Sequence, residues 1–174
     1  MSIFVLQIIS MSTILLSIGS NTFAKTNIDK AKRMLSFLFP GIVFSEPILT
    51  EPEDDKYTYL FRNVLAKANT DMSPEEVIDK IKQTERAVGR SPRDKYMGRM
   101  IMDIDLIQYE GRILRPQDYD RDYVQQLLPT LPELDTVIPG TPEPETITST
   151  NQEETAPPNQ EETDSPMPGE EGKD

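Results

Sequence analysis

Residues 100–109, MIMDIDLIQY, place two carboxylates inside an apolar run. The β-branched and large apolar residues around them are typical of a buried strand. A strand turns successive side chains to opposite faces, so Asp103 and Asp105 should share one face with their carboxylates roughly 6–7 Å apart. Two like charges at the edge of a core raise each other's pKa unless a cation lies between them. The pair is therefore a candidate site for a hard divalent metal ion.

A basic loop comes directly before this acidic strand. The stretch GRSPRDKYMGRM carries four cationic side chains, those of Arg90, Arg93, Lys95 and Arg99. Carboxylates that hold a divalent metal and arginines that fork onto phosphate oxygens are the two halves of a polyphosphate-binding site. From the spacing alone, a solvated basic loop beside a structural aspartate pair accounts for the pattern equally well.

The composition excludes several kinds of site. The 174 residues include no cysteine and no histidine. Disulfides, thiolate metal sites, histidine zinc sites and Ser-His-Asp or Cys-His mechanisms are therefore excluded. Aspartate and glutamate are left as the metal ligands of this chain.

The acidity of the chain is concentrated at its C-terminal end. Residues 1–132 carry 17 Lys and Arg against 18 Asp and Glu, whereas residues 133–174 carry one lysine against 12 acids. The second segment holds seven prolines and repeats NQEET at 151–155 and 159–163. It has too few apolar side chains to offset the entropy of ordering. We predict one domain over residues 12–132 and a disordered, acidic, proline-rich tail over 133–174, which either solubilises the protein or binds a partner.

The N-terminal stretch IFVLQIISMSTILLSIG allows two interpretations. One is a signal peptide cleaved after Ala24. The other is a first strand, and it is favoured because no Lys or Arg precedes Lys25 and because polar residues interrupt the apolar run. Translation could begin at Met1 or at Met11, and the sequence leaves that choice open.

Local patterns then predict the remaining elements. Apolar residues at helical spacing between Ile28 and Leu38 indicate a helix that ends near Pro40. A second helix has Ser73 as its N-cap, a capping box completed by Glu76, and Gly89 at its end. Extended segments are predicted over residues 12–18, 42–49, 57–68 and 101–108.

The resulting order, βαββαβ, predicts an α+β fold of the ferredoxin-like type, an antiparallel sheet with helices on one face. This scaffold also hosts RNA-recognition domains. Such domains need a basic surface and exposed aromatics on their strands, whereas this chain has a nearly neutral domain and an acidic strand. We therefore expect no nucleic-acid partner.

Several segments taken in order resemble one enzyme family. They are LLSIGSN at 15–21, NIDKAKRML at 27–35, TEP at 50–52, FRNVLAK at 61–67, MSPEEVIDKIKQTERAVGR at 72–90 and MDIDLIQYEGRILRP at 102–116. Together they are similar to the 6-hydroxymethyl-7,8-dihydropterin pyrophosphokinases of folate biosynthesis. The resemblance implies transfer of a pyrophosphoryl group from ATP to the hydroxymethyl group of the pterin, with release of AMP.

The resemblance also implies roles for individual residues. Asp103 and Asp105 would hold two Mg²⁺ ions and, with Arg90, form the catalytic set. ATP would be bound by Glu85, Arg90, Arg93 and Arg99, and the pterin by Thr50, Phe61, Asn63 and Tyr123, with the two aromatic rings sandwiching it. A cytoplasmic monomer with ATP and a dihydropterin as its small-molecule partners, and with no membrane association, is expected.

The chain departs from the family's pattern at two places. The family commonly has Arg-Trp-Gly-Pro-Arg before the acidic strand, where this chain has YMGRM, so that Met100 takes the position of an arginine. The family's Pro-His pair is Pro116-Gln117 here. A catalytically silent ferredoxin-like module that binds nucleotide or protein therefore stays open as the alternative.

Overall fold

The computed structural model of the protein describes residues 11–134. The predictions about the translation start and about the acidic tail from residue 135 onward lie outside the described residues. Within the described range, none of the helices combines the length and apolar character that crossing a bilayer requires.

This part of the chain forms six strands and five α-helices. In order they are β1 (Ser12–Ser20), α1 (Ala24–Leu38), β2 (Val43–Phe44), β3 (Ile48–Thr50), β4 (Phe61–Thr70), α2 (Pro74–Val88), α3 (Pro92–Tyr96), β5 (Asp103–Tyr109), β6 (Arg112–Ile113), α4 (Pro116–Tyr119) and α5 (Asp122–Leu127), followed by a 3-10 turn at Leu128–Thr130. The mixture of helices with a sheet confirms the predicted α+β class.

The strands form one sheet in the order β2-β4-β1-β5-β6, with β3 also paired to β4. All the pairings are antiparallel. Because β1 pairs with both β4 and β5, residues 12–20 form the centre of the sheet. The interpretation of this stretch as a first strand is therefore confirmed, and cleavage after Ala24 would remove that strand.

The two faces of β1 are covered by different elements. Ile14, Leu16 and Ile18 pack into the main core with apolar residues of α1 and α2. Leu15 points to the other face because side chains alternate along a strand, and it joins a second cluster in which Val124 and Leu127 of α5 take part. The expectation that helices lie on one face only is thus wrong, since the apolar residues on the opposite face also require cover.

Two strands begin later than the sequence patterns predicted. The segment predicted over residues 57–68 is strand only from Phe61, because the neighbouring β3 ends at Thr50, which pairs with Phe61. Earlier residues have no strand to pair with, and Tyr59 is 65% exposed. In the same way β5 begins at Asp103, because the pairing of β5 with β1 ends at the pair formed by Asp103 and Gly19.

Helix α2 has the predicted ends. Ser73 Oγ accepts a hydrogen bond from the Glu76 backbone N–H, and the Glu76 carboxylate accepts one from the Ser73 N–H. Gly89 ends the helix with φ 128°, a backbone conformation that L side chains rarely adopt. The capped helix therefore ends at a defined place and delivers the next residue, Arg90, beside β5.

Candidate active site

A cavity of about 420 Å³ lies where β1 ends and β4 and β5 begin. The sheet contributes Ser17, Gly19, Thr50, Phe61, Asn63, Asp103 and Asp105 to its lining, and the loop after β3 contributes Glu51, Pro52, Glu53, Asp54, Lys56 and Tyr57. The rest of the lining is Met100 before β5, Asp118 of α4, Arg121 between α4 and α5, and Tyr123 of α5. The cavity lies on the sheet face that α5 partly covers, because its strand residues alternate with those of the main core.

Both aspartates of the acidic strand line this cavity. Arg90 Nη1 lies 2.7 Å from Asp103 Oδ1. Asp105 Oδ1 pairs with Arg115 Nη1, and Lys82 Nζ lies 3.8 Å away. The sequence predicted that a cation would lie beside these two carboxylates. In the structure, guanidinium groups occupy that place.

The neighbouring cations compensate the negative charge of Asp105 only in part. Burial, together with the charge of Asp103, raises the pKa of Asp105 to about 6, against the opposing effect of Arg115 and Lys82. The ionised pair is therefore under repulsion that a further cation would relieve. A divalent cation beside Asp105 would lower that pKa again.

The available donors fit a magnesium ion. Within residues 11–134, no group of three or more Asp, Glu, Cys or His side chains is placed to hold a metal. Mg²⁺ is usually bound by one or two carboxylates plus water and substrate phosphates. Asp103 and Asp105 meet that requirement, whereas a site built entirely from protein ligands would not be satisfied here.

Glu85 lies behind the aspartates and outside the cavity lining. Its side chain is 3% exposed, and its Oε1 accepts hydrogen bonds from the Ile104 backbone N–H at 2.7 Å and from Lys82 Nζ at 2.8 Å. Arg90 Nη1 is 2.8 Å from the same oxygen. Glu85 thus ties α2 to β5 and holds Arg90 in place, and a direct contact with ATP stays a prediction.

The four residues expected to bind the pterin all line the cavity. Asn63 Nδ2 donates to Thr50 Oγ1 at 2.9 Å, and the Tyr123 hydroxyl is 2.9 Å from Ser17 Oγ. Burial raises the pKa of Tyr123, so the phenol stays neutral. This wall includes two aromatic rings and a side-chain amide, which suit a flat heterocycle with polar edges.

The basic loop is held by the GSN segment at the end of β1. Asn21 Oδ1 accepts a hydrogen bond from the Met100 N–H at 2.6 Å, and Asn21 Nδ2 donates to the Gly98 carbonyl at 3.3 Å. Met100 lines the cavity, whereas Arg93 and Arg99 are exposed and outside its lining. Their predicted contact with ATP stays a prediction.

A second charged group at the cavity was not predicted from the sequence. Asp118 Oδ2 is 2.6 Å from Arg115 Nε, and Asp118 Oδ1 is 3.1 Å from Arg121 Nη2. Arg121 Nη1 also lies 3.2 Å from Glu53 Oε2 in the loop after β3. The spacing of Arg115, Asp118 and Arg121, three residues apart on short helical turns, was the available signal.

Comparison with known proteins agrees with this site. The family model described as 7,8-dihydro-6-hydroxymethylpterin-pyrophosphokinase (HPPK) matches residues 15–133. The chain belongs to the HPPK family. A relative from Aquifex aeolicus (strain VF5), named 2-amino-4-hydroxy-6-hydroxymethyldihydropteridine pyrophosphokinase, is 32% identical over 114 residues, covering 60% of this chain. The HPPK-family chain spans 66% of the length of that relative, slightly less than two thirds.

Proposed function

We propose that the chain transfers a pyrophosphoryl group from ATP to 6-hydroxymethyl-7,8-dihydropterin and releases AMP. The observation that supports this most directly is that one cavity is lined both by the aspartate pair and by Thr50, Phe61, Asn63 and Tyr123. A phosphate-binding half and a heterocycle-binding half in one space are what the reaction requires. The ferredoxin-like strand order, a cytoplasmic location and a monomeric state belong to the same proposal.

The chemistry depends on position and charge more than on covalent catalysis. The hydroxymethyl oxygen would form a bond to the β-phosphorus, the bond from that phosphorus to the oxygen shared with the α-phosphate would break with AMP as the leaving group, and the hydroxyl proton would pass to water. Mg²⁺ held by Asp103 and Asp105 would neutralise charge on the triphosphate and align it. Arg90, fixed by Glu85 and Asp103, would contact phosphate oxygens, while Asn63 and the aromatic rings would hold the pterin.

The test is product formation from defined substrates. Purified protein with ATP, Mg²⁺ and 6-hydroxymethyl-7,8-dihydropterin should form AMP and the pterin diphosphate in equal amounts, separated by chromatography. Omitting the pterin or the metal ion should stop AMP release. Formation of ADP, or AMP release without pterin, would contradict the proposal.

A catalytically silent module is the second candidate, and Met100 is the observation that favours it. Met100 lines the cavity at the position where the family commonly has an arginine. A silent module would bind Mg²⁺–ATP without forming AMP in the same assay. A calorimetric titration of ATP with and without Mg²⁺, run beside the product assay, separates the two functions.

Gly19→Ala is expected to weaken pterin use about tenfold. A Cβ at Gly19 would lie 2.9 Å from Asn63 Oδ1, the end of a side chain that can turn away, so the fold should tolerate it. The displaced amide would lose its fixed position beside Thr50. Steady-state kinetics should show a raised KM for the pterin with an unchanged KM for ATP. Equal effects on both substrates would show that the Asn63 amide does not bind the pterin.

A further inference from the structure

Arg115 links the aspartate pair to the charged group formed by Asp118 and Arg121. It lies between β6 and α4, outside the segments from which a phosphate-binding role was expected. Its Nη1 contacts Asp105, and its Nε lies 2.6 Å from Asp118 Oδ2. One guanidinium therefore bridges a candidate metal ligand and a second carboxylate.

The same arrangement occurs at the other aspartate. Arg90 Nη1 lies between Asp103 and the buried Glu85. In each case an arginine holds one candidate metal ligand and one further carboxylate. Glu85 is much more buried than Asp103, whereas Asp118 and Asp105 are buried to the same extent. Each arginine would therefore keep one carboxylate partner if a metal ion bound to its aspartate.

We propose that Arg115 is a phosphate-binding residue that leaves the Asp105 carboxylate and turns to the nucleotide when the Mg²⁺–nucleotide complex binds. This inference rests on the proposed function, because it assigns a role within the same site. A Mg²⁺ ion and a guanidinium repel each other when they share one carboxylate, and an anionic phosphate between them removes that repulsion. Asp118 would hold the Nε of Arg115 throughout, and the 49% exposed side chain has room to turn.

Arg115 also supplies what the loop before β5 lacks. Met100 lines the cavity without a charge, and Arg99 beside it is exposed and outside the lining. The Arg115 guanidinium already lies against a cavity-lining carboxylate. A guanidinium that can bind phosphate through two hydrogen bonds is thus available from a residue that follows Asp105 in the chain, rather than from the loop before it.

The test measures metal binding and nucleotide binding separately in Arg115→Ala. Mn²⁺ replaces Mg²⁺ as the probe, so that free and bound metal are distinguished by electron paramagnetic resonance. Without nucleotide, the variant should bind Mn²⁺ about three- to tenfold more tightly, because no guanidinium competes for Asp105. The Mg²⁺ complex of α,β-methylene-ATP, which resists cleavage, should bind about tenfold more weakly. A purely structural role would move both affinities in the same direction.

Two further variants make the result specific. Arg115→Lys keeps the charge but lacks the planar, forked set of N–H donors that binds phosphate through two hydrogen bonds, so its nucleotide affinity should lie between those of the wild type and the alanine variant. Arg33→Ala removes an exposed arginine of α1 outside the cavity lining and should change neither affinity. An unchanged nucleotide affinity in Arg115→Ala, or weaker Mn²⁺ binding, would overturn the inference.

The product assay distinguishes a failure of the role proposed for Arg115 from a failure of the proposed transfer reaction. A wild type that forms AMP, with an Arg115→Ala variant whose nucleotide affinity is unchanged, would overturn the role of Arg115 alone. Opposite shifts in the two affinities, in a protein that forms no AMP, would support Arg115 and contradict the transfer reaction. A wild type that binds neither Mn²⁺ nor the nucleotide analogue would overturn both.

Discussion

Replacing Asp105 by asparagine is expected to lower turnover by at least about 10³-fold and, at the same time, to stabilise the unliganded protein. Turnover falls because the proposed metal site loses one of its two carboxylates. The amide keeps the shape of the side chain, so the cavity should stay intact. Stability rises because the buried charge that repels Asp103 has been removed.

The gain in stability should depend on pH in a defined direction. The pKa of Asp105 is about 6 in the folded chain against an ordinary value of 3.8, so the folded state binds this proton more tightly than the unfolded state does. Well below pH 3.8 both states are protonated and the charge costs nothing. Between pH 4 and 6 the wild type loses stability as the pH rises, and above pH 6 the full cost, on the order of 3 kcal/mol, is present.

Urea unfolding of wild type and Asp105→Asn across pH 4 to 8 measures this difference. The two free energies of unfolding should agree near pH 4 and separate toward pH 7. Asp79→Asn, an exposed change on α2, should follow the wild type at every pH. A less stable Asp105→Asn protein at pH 7 would show that the attraction of Arg115 and Lys82 outweighs the burial of the charge.

Glu85→Gln is expected to destabilise the protein by about 2 kcal/mol. The glutamine can still accept the hydrogen bond from the Ile104 N–H, but Lys82 and Arg90 lose the buried charge between them. Removal of one partner from a buried ion pair costs more than the pair contributes, and the partial exposure of the two cations reduces that cost. Thermal and urea unfolding provide the measurement.

The same variant tests what Glu85 does in the reaction. If Glu85 positions Arg90, binding of Mg²⁺–ATP and of Mg²⁺–GTP should weaken by the same factor, because both nucleotides carry the same phosphates. A changed ratio between the two would show a direct contact with the base. Glu75→Gln, on the exposed first turn of α2, should alter stability by less than about 0.5 kcal/mol and leave nucleotide binding unchanged.

The elements defined by local interactions were predictable from the sequence. Ser73, Glu76 and Gly89 fix the ends of α2 through hydrogen bonds and backbone conformations that span a few residues. Alternation of side chains placed Asp103 and Asp105 on one face, and both line the cavity. These patterns act over short distances along the chain, so a single sequence contains them.

Only the tertiary structure decided which charges meet at the site. Asp105 pairs with Arg115, ten residues away, and Arg121 pairs with Glu53, because α4, the residues beside it and the loop after β3 converge on the cavity. The cover of the second sheet face by α5 and the late starts of β4 and β5 depend in the same way on which strands are neighbours. The amino-acid sequence determined the carboxylate pair and the capped helix by itself, through short-range geometry. The partners of those carboxylates follow from long-range packing, which no local pattern encodes.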